Sequence, residues 1–268
     1  MNMIYITKNN FSRFIYFTII CIVISSCGDD PIYGCTDEMA LNYNANAKED
    51  DDSCEFESLQ INFKHVINGD DIEFGNEPFY DHPPNTYSVR RILYVLSDIT
   101  LYFADNPPLS ISDFLFVNTD NEETLTQTID DLPELCSGIR FRLGFSSSDN
   151  IDYQYINADN QFHYNMVWPN LYDEKSSSQG GYHYMKLEGK LNDTIAYNTH
   201  TGPSYGNDFS ILYPLFDFSS TSSISIIMDV NNWYEDPIVY NIPAGGIMDD
   251  EDKQSDLQDN GHNVFSVE

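Results

Sequence analysis

An all-β fold, an antiparallel β-sandwich of Greek-key or jelly-roll type, is what this sequence predicts. Residues 59–66 alternate apolar and polar side chains with the period of two that is typical of a half-buried strand. The chain carries 19 Tyr and 17 Phe, residue types that favour strands over helices. Clusters of Asn, Asp, Gly, Ser and Pro separate the apolar segments, which argues against regular β-α-β units.

Short apolar segments along the chain define the expected strands. They lie at residues 59–66, 72–74, 89–103, 114–117, 139–145, 181–189, 211–216, 223–230 and 264–267. Only residues 125–135 and 249–258 have a helical pattern. The second of these predicts one short helix near the carboxyl end of the chain.

The first 26 residues have the layout of a bacterial export signal. Lys8 and Arg13 precede an apolar run, and Ser25 and Ser26 precede Cys27. This arrangement resembles a lipobox, in which the cysteine thiol is diacylated and the preceding peptide is removed. A transmembrane anchor is the alternative, but the apolar run is about half of the roughly 20 residues that a span needs. We therefore expect an outer-membrane lipoprotein, on the periplasmic or the cell-surface face, with residues 27–33 as its lipidated tether.

The net charge of −31 excludes a nucleic-acid partner, because such a field repels phosphate and attracts cations. An exported chain also meets an oxidising compartment. Cys35 and Cys54 are therefore expected to form a local disulfide, and Cys136 to remain a buried free thiol.

Residues 34–56 form a small module with many closely spaced oxygen ligands of the kind that Ca²⁺ prefers. It resembles the disulfide-closed modules of Bacteroidetes surface proteins and, through them, the calcium repeats of thrombospondin, although Asp52 replaces their usual Gly. A disulfide-closed loop without metal is the alternative. The candidate calcium ligands are Asp37, Asn42, Asn44, Asn46, Asp50, Asp51 and Asp52.

Residues 57–268 form the main domain, and a series of blocks within it resembles one protein family. The blocks are 61–69 (INFKHVING), 87–99 (YSVRRILYVLSDI), 137–144 (SGIRFRLG), 166–169 (MVWP), 180–189 (GGYHYMKLEG), 198–202 (NTHTG) and 260–267 (NGHNVFSV). In this order they resemble the MbnP-like family, the methanobactin-partner proteins and their copper-binding relatives.

That resemblance implies an exported, β-rich, copper-binding protein. His65, His183 and His200 lie inside the matching blocks and are the expected ligands, with His200 in a loop and His183 in the middle of a strand. Some relatives have a tryptophan converted to kynurenine by a dihaem partner protein. Trp168 and Trp233 are the only tryptophans here, so one of them would be the modified residue.

Imidazole is a good ligand for copper and zinc, which supports the same trio independently and adds His82 as a fourth candidate. Glu188 either orients a ligand histidine or pairs with Arg140 or Arg142.

No catalytic motif is present in the sequence, so we expect a binding protein and not an enzyme. Copper acquisition, storage or handover is the expected role. The alternative is a surface adhesion module that binds glycan or protein and uses calcium only.

Overall fold

A computed structural model describes residues 30–74, 77–169 and 180–268. The predicted signal peptide at residues 1–26 and the predicted lipidation site at Cys27 lie outside the described residues. Within the described ranges, no helix has the length and apolar character needed to cross a bilayer.

Strands dominate the described part of the chain. The helices are α1 (Phe162–Met166), α2 (Asn232–Glu235) and α3 (Glu251–Gly261), with one 3-10 turn at Glu122–Thr124. The strands are β1 (Glu57–Ile67), β2 (Asp70–Asp71), β3 (Tyr80–His82), β4 (Asn85–Tyr102), β5 (Leu109–Ser110), β6 (Leu115–Asn118), β7 (Thr126–Leu132), β8 (Cys136–Leu143), β9 (Met185–Leu191), β10 (Ile195–Thr201), β11 (Ile211–Leu212), β12 (Phe216–Thr221), β13 (Ser223–Asp229), β14 (Gly245–Gly246) and β15 (Phe265–Val267).

Two sheets form the predicted sandwich. The smaller has the order β15-β13-β1-β2, with β7 also paired to β1. The larger has the order β11-β8-β4-β9-β10-β14, with β12 on β8 and with β3, β5 and β6 on β4. Most pairs are antiparallel as expected, but β1 runs parallel to β13 and β10 runs parallel to β14.

Aromatic side chains fill the space between the two sheets. Leu59, Ile61 and Phe63 alternate with less buried residues along β1. The period-two pattern therefore places one face of the strand against the core. The Phe63 ring meets Tyr94 of β4 edge-on, with ring centroids 6.2 Å apart. Phe265 of β15 likewise contacts Tyr94, at 5.6 Å. The long strand β4 is thus the main partner of the smaller sheet.

The opposite face of β4 is also buried, which explains its continuous apolar run. Leu93 and Val95 point away from the inter-sheet core and pack with Phe145, Phe162 and Tyr182. This second cluster lies under the segment that contains α1. This packing places Met166 directly against the larger sheet.

Two sequence-based assignments differ from the structure. Residues 125–135, which have a helical pattern, contain strand β7 instead. Thr126, Thr128 and Ile129 are β-branched, and pairing with β1 stabilises the extended form. Strand β10 was not predicted. The helix expected at 249–258 is present as α3, with Asp250 accepting a hydrogen bond from Lys253 N as its amino-terminal cap.

The Cys35–Cys54 disulfide is present, and Cys136 is a buried free thiol, as predicted. Asp52 has φ 59°, the left-handed conformation that glycine favours. The Asp in place of the usual Gly therefore keeps the turn.

Candidate metal centre

Two of the predicted ligand histidines lie side by side. The imidazole centroids of His183 and His200 are 5.1 Å apart, with the rings nearly perpendicular at 84°. His183 lies two residues before β9 instead of within a strand, and His200 lies in β10 instead of in a loop. Because β9 and β10 are antiparallel neighbours, with Thr201 opposite Met185, the start of one strand meets the end of the other.

His183 is 4% exposed and is held by the last residue of α1. Its backbone N–H donates to Met166 O at 2.7 Å, and its ring Nδ1 lies 3.1 Å from the same carbonyl oxygen. A carbonyl only accepts, so Nδ1 carries the proton. The other ring nitrogen, Nε2, is buried and has no hydrogen-bond partner among the described residues. An unpaired lone pair therefore lies at a buried position.

His200 is fixed from two sides. Its Nε2 lies 3.1 Å from Glu188 Oε1, and its carbonyl oxygen accepts a hydrogen bond from Gln254 Nε2 of α3 at 2.8 Å. Glu188 contacts Arg90 and Arg91, and not Arg140 or Arg142 as the sequence had suggested. The alternative that Glu188 orients a ligand histidine agrees with this geometry.

Electrostatics keeps both imidazoles neutral. Burial lowers the pKa of His183 well below its ordinary value, and the neighbouring His200 and Lys186 lower it further. Burial also lowers the pKa of His200, although its hydrogen bond to Glu188 acts in the opposite direction. Burial alone would raise the pKa of Glu188, but hydrogen bonds from His200, Arg91 and Arg90 outweigh it and hold that pKa far below its usual range. Neutral imidazoles beside a fixed carboxylate are suited to metal binding.

Trp168 packs against this pair. Its ring lies 4.7 Å from the His183 ring, in an edge-to-face arrangement, and its indole Nε1 is buried without a hydrogen-bond partner in the described ranges. Gly202 makes the packing possible, since a Cβ at that position would lie 2.4 Å from the indole ring. Trp233, also fully buried, packs near Gly261 of α3. Only Trp168 therefore adjoins the histidine pair.

His65 and His82 occupy different surroundings. His65 lies on β1 in the smaller sheet, with its ring 5.8 Å from Phe74 and 5.7 Å from Tyr94. His82 Nε2 bonds to Tyr240 O at 2.7 Å. In the described residues, no histidine belongs to a group of three His, Cys, Asp or Glu side chains with ligand atoms within 4.8 Å.

The candidate calcium ligands are largely engaged within their own module. Side-chain oxygens of four of them accept a hydrogen bond from the backbone N–H two residues further on, namely Asp37, Asn44, Asp50 and Asp51. Asp50 also accepts from Thr36, and Asn42 accepts from Glu55 N. The group of ligand atoms formed by Cys35, Asp50 and Cys54 includes two disulfide sulfurs, which are not thiolate ligands. Calcium binding stays a prediction.

Sequence reasoning missed the polar surroundings of the histidine pair. Gln254 donates to His200 O and accepts from Gly202 N, which ties α3 to the end of β10. Arg90 and Arg91 meet Glu188 because β4 pairs with β9. The sequence signal for the arginines was the charged pair inside an otherwise apolar strand.

The donor set fits a copper ion. It offers two neutral nitrogen ligands, one of them with a buried, unpaired lone pair, and such ligands suit copper as well as zinc. His183 and His200 are the residues that would hold the ion.

Comparison with known proteins gives a consistent result. The MbnP family model matches residues 56–249. Among solved structures, the fold is similar to that of MbnP from Methylosinus trichosporium, with a TM-score of 0.51 and 10% sequence identity. That similarity covers 80% of this chain and 98% of the other. No curated protein sequence matches.

Proposed function

Since this chain belongs to the MbnP family, we propose that it is an exported binding protein that holds copper between His183 and His200. The observation that carries the proposal is the contact of two neutral imidazoles, the buried His183 and the partly buried His200, of which His183 has a free ring nitrogen. Bound there, copper would be held by coordination and not turned over as a substrate. We therefore propose a role in acquiring, storing or handing over the metal, and not an enzyme.

The surroundings of the pair support a soft or borderline ion. A hard cation such as Ca²⁺ requires oxygen ligands, and a pair of imidazoles suits copper better. The Trp168 indole and the Met166 backbone shield the His183 side from water. Such shielding weakens the competition of water for the ion.

Trp168 is the candidate for modification that this arrangement supports. The family resemblance implies that some members carry a kynurenine made by a dihaem partner. We propose that the same partner chemistry, if this chain undergoes it, acts on Trp168 and not on Trp233, because only Trp168 contacts a proposed ligand. We also propose that a lipid on Cys27 anchors the protein in the outer membrane.

Copper loading tests the function directly. Protein incubated with Cu(I) and passed through gel filtration should retain about one equivalent, as expected for one two-histidine site. His183→Ala and His200→Ala should each retain less than about a tenth of an equivalent, since one imidazole alone is a weak site. The matched control is His262→Ala, which removes an exposed histidine and should bind like the wild type.

The same experiment distinguishes the rival function. A wild-type protein that retains less than about a tenth of an equivalent would contradict the copper proposal. It would favour the adhesion module that uses calcium only. Intact mass of the native protein would report the lipid and any kynurenine at the same time.

A further inference from the structure

Glu188 is held in one orientation by three side chains. Arg91 forms two parallel hydrogen bonds to it, Nε to Oε2 at 2.7 Å and Nη2 to Oε1 at 3.1 Å. Arg90 Nη2 adds a third, to Oε2 at 3.1 Å. A bidentate guanidinium–carboxylate pair restricts the carboxylate far more than a single contact does. The remaining contact is to His200.

Strand register produces this arrangement. Arg91 of β4 is paired with Glu188 of β9, and His200 of β10 lies opposite Lys186, one diagonal step from Glu188. Directly opposite and diagonal side chains on one face of a sheet lie within reach of each other. Glu188 therefore connects the two neighbouring strands, with the arginines on one side and the imidazole on the other.

This contact determines which nitrogen of His200 carries the proton. An ionised carboxylate only accepts, so the hydrogen bond between Glu188 Oε1 and His200 requires a proton on Nε2. In the neutral ring, the lone pair is then on Nδ1. His183 has the opposite tautomer, because its Nδ1 faces the Met166 carbonyl and its Nε2 is unpaired. The two rings thus present different nitrogens.

We infer that Glu188, clamped by Arg90 and Arg91, is a positioning residue that fixes the His200 tautomer, so that the metal is held by His200 Nδ1 and His183 Nε2. The part of the inference that concerns the metal rests on the proposed function. The assignment of the two tautomers does not, because it follows from the hydrogen bonds alone. Partners that orient a ligand imidazole commonly change metal affinity about 10- to 100-fold when they are removed. Glu188 would act in this way without touching the ion.

The first test uses the wild-type protein without metal. Nitrogen-15 NMR of the histidine rings separates protonated from unprotonated ring nitrogens. We expect His200 to be protonated on Nε2 and His183 on Nδ1. A proton on Nδ1 of His200 overturns the inference, whether or not the protein binds copper.

The second test is Glu188→Gln, which keeps the size of the side chain but replaces one carboxylate oxygen with an NH₂ group. The amide cannot accept all of these hydrogen bonds, because its NH₂ group would face either the Arg90 and Arg91 donors at the Oε2 position or the Arg91 and His200 donors at the Oε1 position. We expect a mixture of His200 tautomers in the metal-free protein and a Cu(I) affinity that is about 10- to 100-fold weaker in a chelator competition assay. The matched control is Asp120→Asn, which removes the exposed second partner of Arg91, at 3.5 Å, and leaves Glu188 intact.

The outcomes separate the two proposals. Glu188→Gln with the wild-type tautomers and an affinity within about twofold of wild type overturns the positioning role. Wild-type protein that takes up no copper contradicts the function, and the tautomer measurement then decides the positioning role alone. Asp120→Asn that behaves like Glu188→Gln would also overturn it, since the effect would then come from Arg91.

Discussion

The imidazole of His65 is the clearest case of a single residue whose charge state depends on folding. It occupies an inward position of β1 between Phe74 and Tyr94, and its Nε2 has no hydrogen-bond partner in the described part of the chain. Burial lowers its pKa to about 4. The burial of His65 therefore needs no metal to explain it, because His65 continues the alternation of buried residues along β1.

This burial predicts a pH dependence of stability. The pKa of His65 is about 4 when folded and about 6.5 when unfolded, so the unfolded chain takes up the proton first as the pH falls. The stabilisation is complete above about pH 6.5 and is lost as the pH falls toward 4. Between these values, the unfolding free energy of the wild type should fall by up to about 3 kcal/mol more than that of His65→Leu, as measured by urea unfolding.

His65→Leu is the internal reference here, because all other acid-titrating groups are shared by both proteins. Parallel pH curves for the two proteins would contradict the prediction. Copper loading of His65→Leu provides a second readout. Wild-type uptake is expected, because His65 is not in contact with the histidine pair in the structure.

Among the elements, local pattern predicted strands well and their partners poorly. The alternation of residues 59–66 gave β1, and the apolar run gave β4. The parallel pairing of β1 with β13 joins segments more than 150 residues apart. The alternation of residues within a single segment gives no information about such a distant partner. The sequence of strand β7 predicted a helix instead. Its β-branched residues favour the extended conformation, but this conformation is stabilised only when β1 pairs with it.

The histidine pair shows the same division. Residue chemistry selected His183 and His200, but their proximity follows from the β9–β10 pairing, and β10 itself was not predicted. Glu188 could be suggested as an orienting residue but not assigned its arginines. The β4–β9 register, which brings them together, is a tertiary property.

Close approach of β4 and β9 depends on Gly189. A Cβ at this position would lie 1.8 Å from the Ser88 carbonyl oxygen. Gly189→Ala should therefore push the strands apart and lower the unfolding free energy by at least about 1–3 kcal/mol in urea titration. It should also weaken copper binding, because β9 carries Glu188.

Gly246→Ala is the matched control for this variant. Gly246 is also in a strand of the larger sheet, and a Cβ there would meet nothing within 4 Å. We expect its stability to stay within about 0.5 kcal/mol of wild type. Equal stability of the two variants would show that the β4–β9 contact tolerates a methyl group.

For the whole molecule, the charge of −31 is the dominant electrostatic property. Mutual repulsion of the acids opposes the compact state, and about 0.15 M salt reduces the Debye length to about 8 Å. The melting temperature in calorimetry should therefore rise by at least about 2–4 °C from very low salt to about 0.15 M NaCl.

Choline chloride at equal ionic strength separates screening from specific ion binding. If screening is the cause, both salts should raise the melting temperature equally. A constant or falling melting temperature would contradict the argument. An additional increase with CaCl₂ at matched ionic strength would support the calcium prediction for residues 34–56.

The smaller sheet also sets the order in which this protein can mature. Strand β13 lies between β1 and β15, with Ile226 opposite both Phe63 and Val267. A chain that emerges amino end first therefore delivers β1 long before its parallel neighbour. Until β13 arrives, this edge of β1 stays unpaired, and an unpaired strand edge is a site for wrong pairing with other chains.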